Sequence, residues 1–167
     1  MFYEEEAAVP LIVSWKGVTP AGRIDRTHLV STLDVLPTIC DYAGIQPPAQ
    51  IRGESLRAVI EKPDQPGHDF VISEMARGGQ GGPGRSFLVR TNKYKYMVFP
   101  GAQRVELFFD LVADPGELKN LAGKAMLAAE VERHRQLLAH WTKTTEEDKY
   151  PVEAPAQTPR RKPSRQK

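Results

Sequence analysis

Apolar and polar positions alternate through the middle of the chain and recur at helical spacing toward its end. Asp69–Met75, Ser86–Arg90, Tyr94–Phe99 and Val105–Leu111 each read as strands. In the third, Tyr94, Tyr96 and Val98 share a face. Ser86–Arg90 and Tyr94–Phe99 make an antiparallel hairpin around Thr91-Asn92-Lys93, so the middle of the chain is a meander of about four strands, an antiparallel sheet. Lys124–Thr144 is the strongest helix. Leu127, Val131, His134, Leu138 and Trp141 recur at four-three-four-three spacing, and that stripe is predicted to lie on the sheet.

Upstream the pattern is more broken. Met1–Ala8 reads as a helical turn or two, acidic at its start. Leu11–Trp15 is a nearly unbroken apolar run after Pro10, the pattern of a strand buried on both faces. Such a strand needs partners on each side, and only a short helix precedes it here. The expectation is therefore that an N-terminal part of the fold lies outside this chain and that the run is left exposed. Thr27–Val30 reads as a short strand. Leu33–Ala43 reads as a helix with Ser31, Thr32 and Asp34 as candidate caps, Pro37 in the first turn and Gly44 as its stop. Ser55–Ile60 reads as one more short helix. In ELFFDLVADPGELKNL, residues 106–121, a strand ends and hands over to the last helix. Asp114 is the predicted cap of a helical turn, Pro115 its first position, Glu117 sits three residues after the cap, and Asn120-Leu121 closes it. Nothing in that stretch is catalytic.

The 167 residues are 40% hydrophobic and 26% charged, enough for one domain with a real core. Charge changes the picture more than composition does. Residues 151–167 carry five Lys/Arg against Glu153, a balance of +4, which leaves −2 for the rest of a chain whose total is +2. The body is thus no general polyanion binder, and nucleic acid is an unlikely partner on these grounds. The proline-rich basic tail, 150–167, is predicted to be disordered. No apolar run is long enough to span a membrane and no signal peptide opens the chain, so no membrane partner is expected. The single cysteine excludes an internal disulfide.

Candidate chemistry is sparse. Cys40 sits on the apolar side of a helix with no His or Lys placed to activate it. His28, His68, His134 and His140 show no metal-ligand spacing, although His28 is placed to pair with Asp25 or Asp34. Glu74 ends a strand just before a glycine-rich loop, a position for a functional carboxylate or for a satisfied strand-end charge. Arg77–Arg85, RGGQGGPGR, lacks the Lys-Ser/Thr of a phosphate-binding loop. It reads as a plain hairpin loop, as an arginine-glycine element for RNA, or as a mobile substrate-side loop whose arginines contact an oxyanion.

Several stretches, taken in order, resemble the C-terminal portion of the sulfatase family. MFYEEEAAVPLIVSWKG resembles the segment after the catalytic core, and LVSTLDVLPTICDYAGI the helix that follows it. Gly53-Glu54-Ser55-Leu56, then FVISEMA, SFLVRTNKYKYMVF and ELFFDLVADPGELKNLAG complete the match. The resemblance implies an alkaline-phosphatase-like fold, α/β overall and α+β for this portion. Its C-terminal subdomain is a four-stranded antiparallel sheet packed by a long helix. It also implies a division into 1–61, the end of the large α/β domain, 62–149, the subdomain, and 150–167, the tail. The implied chemistry is hydrolysis of sulfate esters or sulfamates by a formylglycine beside calcium, with a sulfated small molecule or glycan as substrate. Those cofactor motifs are absent here: Cys40 is followed by Asp-Tyr-Ala. The implied partner is therefore an N-terminal catalytic domain outside this chain. Ala8 departs from the arginine common in the family. Family members are often periplasmic, secreted or lysosomal. By position, the loops Glu74–Arg85 and Phe99–Arg104 reach over the active-site mouth, which makes Glu74, Arg77, Arg85 and Arg104 the candidate substrate-binding residues. A non-catalytic binding module for an anionic partner, or a related phosphodiester or phosphonate hydrolase, are the alternatives.

Overall fold

The structure, a computed structural model, describes residues 2–75, 84–99 and 104–146. At its centre four antiparallel strands follow in chain order: β1 (Phe70–Met75), β2 (Ser86–Thr91), β3 (Tyr94–Phe99) and β4 (Val105–Asp110). Ile72 stands opposite Val89, Val89 opposite Tyr96 and Tyr96 opposite Phe108. The predicted meander is present, and its alternation sets the register, because a one-residue slip would turn every apolar side chain to the wrong face.

One face of the sheet carries Val89, Tyr96, Val98 and Phe108. It is covered by α4 (Ala128–Glu146), which is entered through a 3-10 turn at Ala125–Leu127. Val131, His134 and Leu138 are buried on it, with Leu127 and Trp141 packed alongside, as the stripe predicts. His134 Nδ1 lies 2.7 Å from the Glu130 carbonyl oxygen and Nε2 3.2 Å from the Thr91 hydroxyl. The other face carries Leu88, Met97, Phe99 and Phe109 and is capped by Phe2 and Tyr3, which lead into α1 (Glu4–Ala7). Phe2 meets Phe99, and Tyr3 meets Phe109, each with ring centroids 6.2 Å apart.

The outer edge of β4 is closed by the stretch that follows it. Phe108 N–H donates to Asn120 Oδ1 at 2.9 Å, Asn120 Nδ2 donates to the Glu106 carbonyl at 3.2 Å, and Leu121 N–H donates to the Phe108 carbonyl at 2.8 Å. A strand edge that would otherwise template further pairing is thereby satisfied. The turn expected at 114–117 is present, Glu117 N–H donating to the Asp114 carbonyl at 3.1 Å, but it does not become a capped helical turn. Asp110 Oδ1 accepts from the N–H groups of Val112 and Ala113, both at 3.1 Å, and Asp114 Oδ2 accepts from Lys119 N–H at 2.8 Å. Glu117, at φ +53°, turns its side chain inward instead, because buried Lys95 claims it.

In the N-terminal portion, a 3-10 turn at Thr32–Asp34 leads into α2 (Val35–Ala43). Ser31 supplies the cap: its hydroxyl accepts from Leu33 N–H, and Asp34 accepts from Ser31 N–H at 2.7 Å. Gly44, at φ +68°, stops the helix as expected. The short helix α3 is Arg57–Glu61. Thr38 ties the two together: its hydroxyl donates to the Asp34 carbonyl at 2.6 Å and accepts from Leu56 N–H at 2.9 Å. A Cβ at Gly53 would lie 1.9 Å from the Leu33 carbonyl oxygen, so only glycine lets Glu54 N–H reach Asp34 Oδ1 at 3.0 Å. The strand expected at Thr27–Val30 reduces to a single bridge, Leu29 to His68. The Leu11–Trp15 run forms no strand, since among the described residues no ladder lies beside it to take its N–H and C=O groups. As expected it is exposed, with Ile12 86% and Trp15 50% accessible.

Candidate functional site at the loop end of the sheet

Meander topology puts the β1–β2 and β3–β4 connections at one end of the sheet and the β2–β3 turn at the other. Three of the four sequence-predicted residues can be placed at the loop end; Arg77 lies outside the described residues. Glu74, near the end of β1, pairs with Arg85, just before β2, through Oε1 and Nε 3.2 Å apart. Arg104 precedes β4 at the far side of the sheet. Its Nη2 lies 3.1 Å from Glu106 Oε1 and donates to Tyr96 Oη at 3.2 Å. The sheet thus brings the Glu74–Arg85 pair and Arg104 to the same end, on either side of β3. Arg85 and Arg104 flank β3, two strand spacings or about 10 Å apart. Their side chains remain 53% and 60% exposed.

Glu106 organises a cluster that the sequence reading missed. Tyr96 donates to its Oε1 at 2.7 Å, Arg135 Nε donates to the same oxygen at 3.2 Å, and Arg135 Nη2 donates to Oε2. The Arg135 guanidinium holds the Glu106 carboxyl below the usual carboxylate range. Burial, with Glu106 adding to it, pushes the Tyr96 phenol up. Glu106 therefore stays ionised and Tyr96 protonated at neutral pH, so the cluster is an ion network rather than an acid–base pair. It fastens α4 to β4; Arg135 is further held by Glu132 through Nη1 at 3.2 Å, whereas Arg104 keeps its Nε and Nη1 for an oxyanion contact. Tyr96 and Glu106 are diagonal neighbours on the helix-facing side of the sheet. An acid on a face that must pack against a helix was the available signal.

The remaining candidates are structural. His28 Nδ1 lies 2.7 Å from Asp25 Oδ2 and Nε2 2.9 Å from the Gln65 carbonyl, which realises the first of the two pairings expected for it. The second carboxylate, buried Asp34, is taken by His68, whose Nε2 is 3.0 Å from Oδ2. Cys40 is buried on α2. Among the described residues no group of three or more His, Cys, Asp or Glu side chains is disposed to hold a metal ion. A separate feature lies between the Leu11–Trp15 run and α2. It is an apolar groove of about 490 Å³, lined by Leu11, Val13, Trp15, Ile39, Tyr42 and Leu56 among others.

Residues 1–144 match a family model described as N-sulphoglucosamine sulphohydrolase, C-terminal. The Delta 4,5-hexuronate-2-O-sulfatase of Bacteroides thetaiotaomicron is 35% identical over 151 residues, which is 88% of this chain and 31% of that protein. Among solved structures, a 2-O glycosaminoglycan sulfatase superposes with a TM-score of 0.59 at 34% identity, covering 70% of this chain and 25% of that one. The phosphonate monoester hydrolase of Agrobacterium radiobacter also gives 0.59, at 26% identity, covering 71% and 26%. The chain spans about a quarter to a third of the length of the curated relatives it matches, 24% to 31% for two of them.

Proposed function

This chain belongs to the sulfatase family, as the C-terminal portion that the N-sulphoglucosamine sulphohydrolase model describes, and on that footing we propose that it completes an enzyme hydrolysing sulfate esters or sulfamates. The match over residues 1–144 carries this reading. The four-stranded antiparallel sheet under a long helix is the fold of that portion in alkaline-phosphatase-like enzymes. Formylglycine and calcium belong to a catalytic portion outside this chain. That portion seats on the apolar groove, where Leu11–Trp15 becomes one strand of a larger sheet and loses its exposure to water. Residues 1–61 then close the large domain and 62–149 form the subdomain, while the basic stretch 150–167 lies outside the described residues.

The loop end of the sheet faces the substrate. Arg77, Arg85 and Arg104 offer guanidiniums to a sulfated sugar, the substrate class named for two of the relatives, and Glu74 orients Arg85. In the enzyme assembled with its catalytic portion, Arg77→Ala and Arg85→Ala are each expected to raise KM for a sulfated sugar about tenfold with kcat little changed. An unchanged KM overturns the substrate-side placement. Failure of that enzyme to release sulfate from either esters or sulfamates overturns the sulfatase reading itself. The likeness to phosphonate monoester hydrolase supports a second reading, a phosphonate or phosphodiester hydrolase. Turnover of a phosphonate monoester in preference to sulfate esters would favour it.

A further inference from the structure

On the face of the sheet turned away from α4, β3 places a lysine at a position that the structure buries among apolar side chains. Lys95 is completely buried, above Leu88, Met97 and Phe109. Its Nζ lies 2.7 Å from Glu4 Oε1, 2.8 Å from Glu117 Oε1 and 3.0 Å from the Phe2 carbonyl oxygen. The Phe2 carbonyl accepts a hydrogen bond from this ammonium, and the two carboxylate oxygens neutralise it as ion-pair partners. Glu117 does more than neutralise it, because its Oε2 accepts from Glu4 N–H at 2.6 Å. Arg90 Nε, 3.5 Å from Glu4 Oε1, brings the second cation. Two carboxylates and two cations thus balance, with Lys95 and Glu117 shut off from water and Glu4 and Arg90 half-buried at the margin. Glu117 reaches it from a left-handed backbone conformation, which a non-glycine residue holds only when surrounding contacts stabilise it.

We propose that Lys95 is a positioning residue. Its ammonium clasps Phe2–Glu6 to the back of the sheet and thereby sets the direction in which the chain leaves toward Leu11–Trp15. Ordinary packing would not need this arrangement, since a methionine fills the same volume and would leave Phe2 and Tyr3 on their rings. Burying an ammonium costs more than burying a methionine, and the cost is met only when both carboxylates and the Phe2 carbonyl are in place, so one geometry of the N-terminal segment is selected over its neighbours. The clasp stands without the sulfatase reading; only its use in seating the docking run rests on that reading.

Digestion of the full chain by a glutamate-specific protease tests it, because exposed Glu5 and Glu6 lie within the clasped segment. Lys95→Met is expected to speed cutting after these residues about tenfold or more, while far-ultraviolet dichroism and amide protection in β2 and β3 hold. Adding Glu117→Gln to Lys95→Met removes the stranded charge and keeps an acceptor for Glu4 N–H, so cutting should slow again severalfold. Glu4→Gln, at a half-buried position, leaves the sheet intact and is expected to speed cutting about threefold; it decides the matter if Lys95→Met fails to fold. Cutting at the wild-type rate in Lys95→Met, or in Glu4→Gln, overturns the clasp. So does equal cutting of the single and double variants, since carboxylate pairing would then play no part. None of these results touches sulfate release, so the clasp and the proposed activity can fail separately.

Discussion

The two regions of this molecule are built from similar proportions of apolar residues and come out differently. The sheet and α4 bury what they carry: Val89, Tyr96, Phe108 and Val131 sit in one continuous cluster and are almost wholly excluded from water. The segment from Val9 to Ile45 leaves Ile12, Ile24, Ile39 and Ile45 more than half exposed, although its helix is properly capped and stopped. Local structure is therefore not what separates them. Each strand of the sheet has its partner next to it in sequence, whereas Leu11–Trp15 has none among the described residues. The difference teaches that a segment can be locally complete and still unfinished in packing, and that the unfinished face is where a further body belongs.

Substitutions in each region should respond accordingly. Phe108→Ala, at the centre of the sheet and against α4, is expected to cost about 3–5 kcal/mol in urea unfolding. A loss under about 1 kcal/mol would mean that the sheet core is less closed than its burial indicates. A subtler contrast lies in two histidines, one in each region. Hydrogen bonding to Asp25 raises His28, so the stability it adds is fully present below about pH 6.5 and fades as pH rises through the raised value. Burial lowers His134, so its contribution is intact above about pH 6.5 and is lost as pH falls toward the lowered value. Measured by urea unfolding, His28→Asn should cost more near pH 5.5 than near pH 8, and His134→Gln should do the reverse. The same pH trend for both variants would contradict the two environments described. The smallest effect on stability belongs to Ile12→Ser, expected within about 0.5 kcal/mol of the parent, because the side chain is already in water. The exposed Leu11–Trp15 run is expected to drive self-association of the isolated chain, and sedimentation should show it weakened in this variant. A large loss of stability there would place Ile12 in a core that the structure does not contain.

Periodicity made the central sheet legible in the sequence. The alternation in Tyr94–Phe99 gives β3 and its faces, and the stripe through Val131, His134 and Leu138 gives α4 and the side it buries. Charged residues inside that pattern were harder. Lys95 follows Tyr94 in an alternating strand and so reads as solvent-facing, and nothing local announces that Glu4 and Glu117 will meet it. Glu106 and Arg135 lie 29 positions apart, and His68 and Asp34 are 34 apart, so both pairings exist only once the chain has folded. Asn120-Leu121 reads in the sequence as the close of a turn, but its physical work on the open edge of β4 requires the strand to be in place first. For the candidate site, sequence order shows only which connections follow β1 and β3. It could not show that Arg85 and Arg104 already hold Glu74 and Glu106 as counter-ions.

The pairing of each strand with its immediate predecessor also bears on how the molecule assembles in time. Contacts between neighbours in sequence close short loops, and short loops form fast at little entropic expense. The contact from Lys95 to Phe2 spans 93 residues and requires the whole intervening segment to be gathered first. Hairpins can accordingly condense into a sheet before the chain's opening residues arrive, and the lysine must wait in water for its carboxylates. Its desolvation then becomes one of the last events on the way to the native state rather than a nucleus for it.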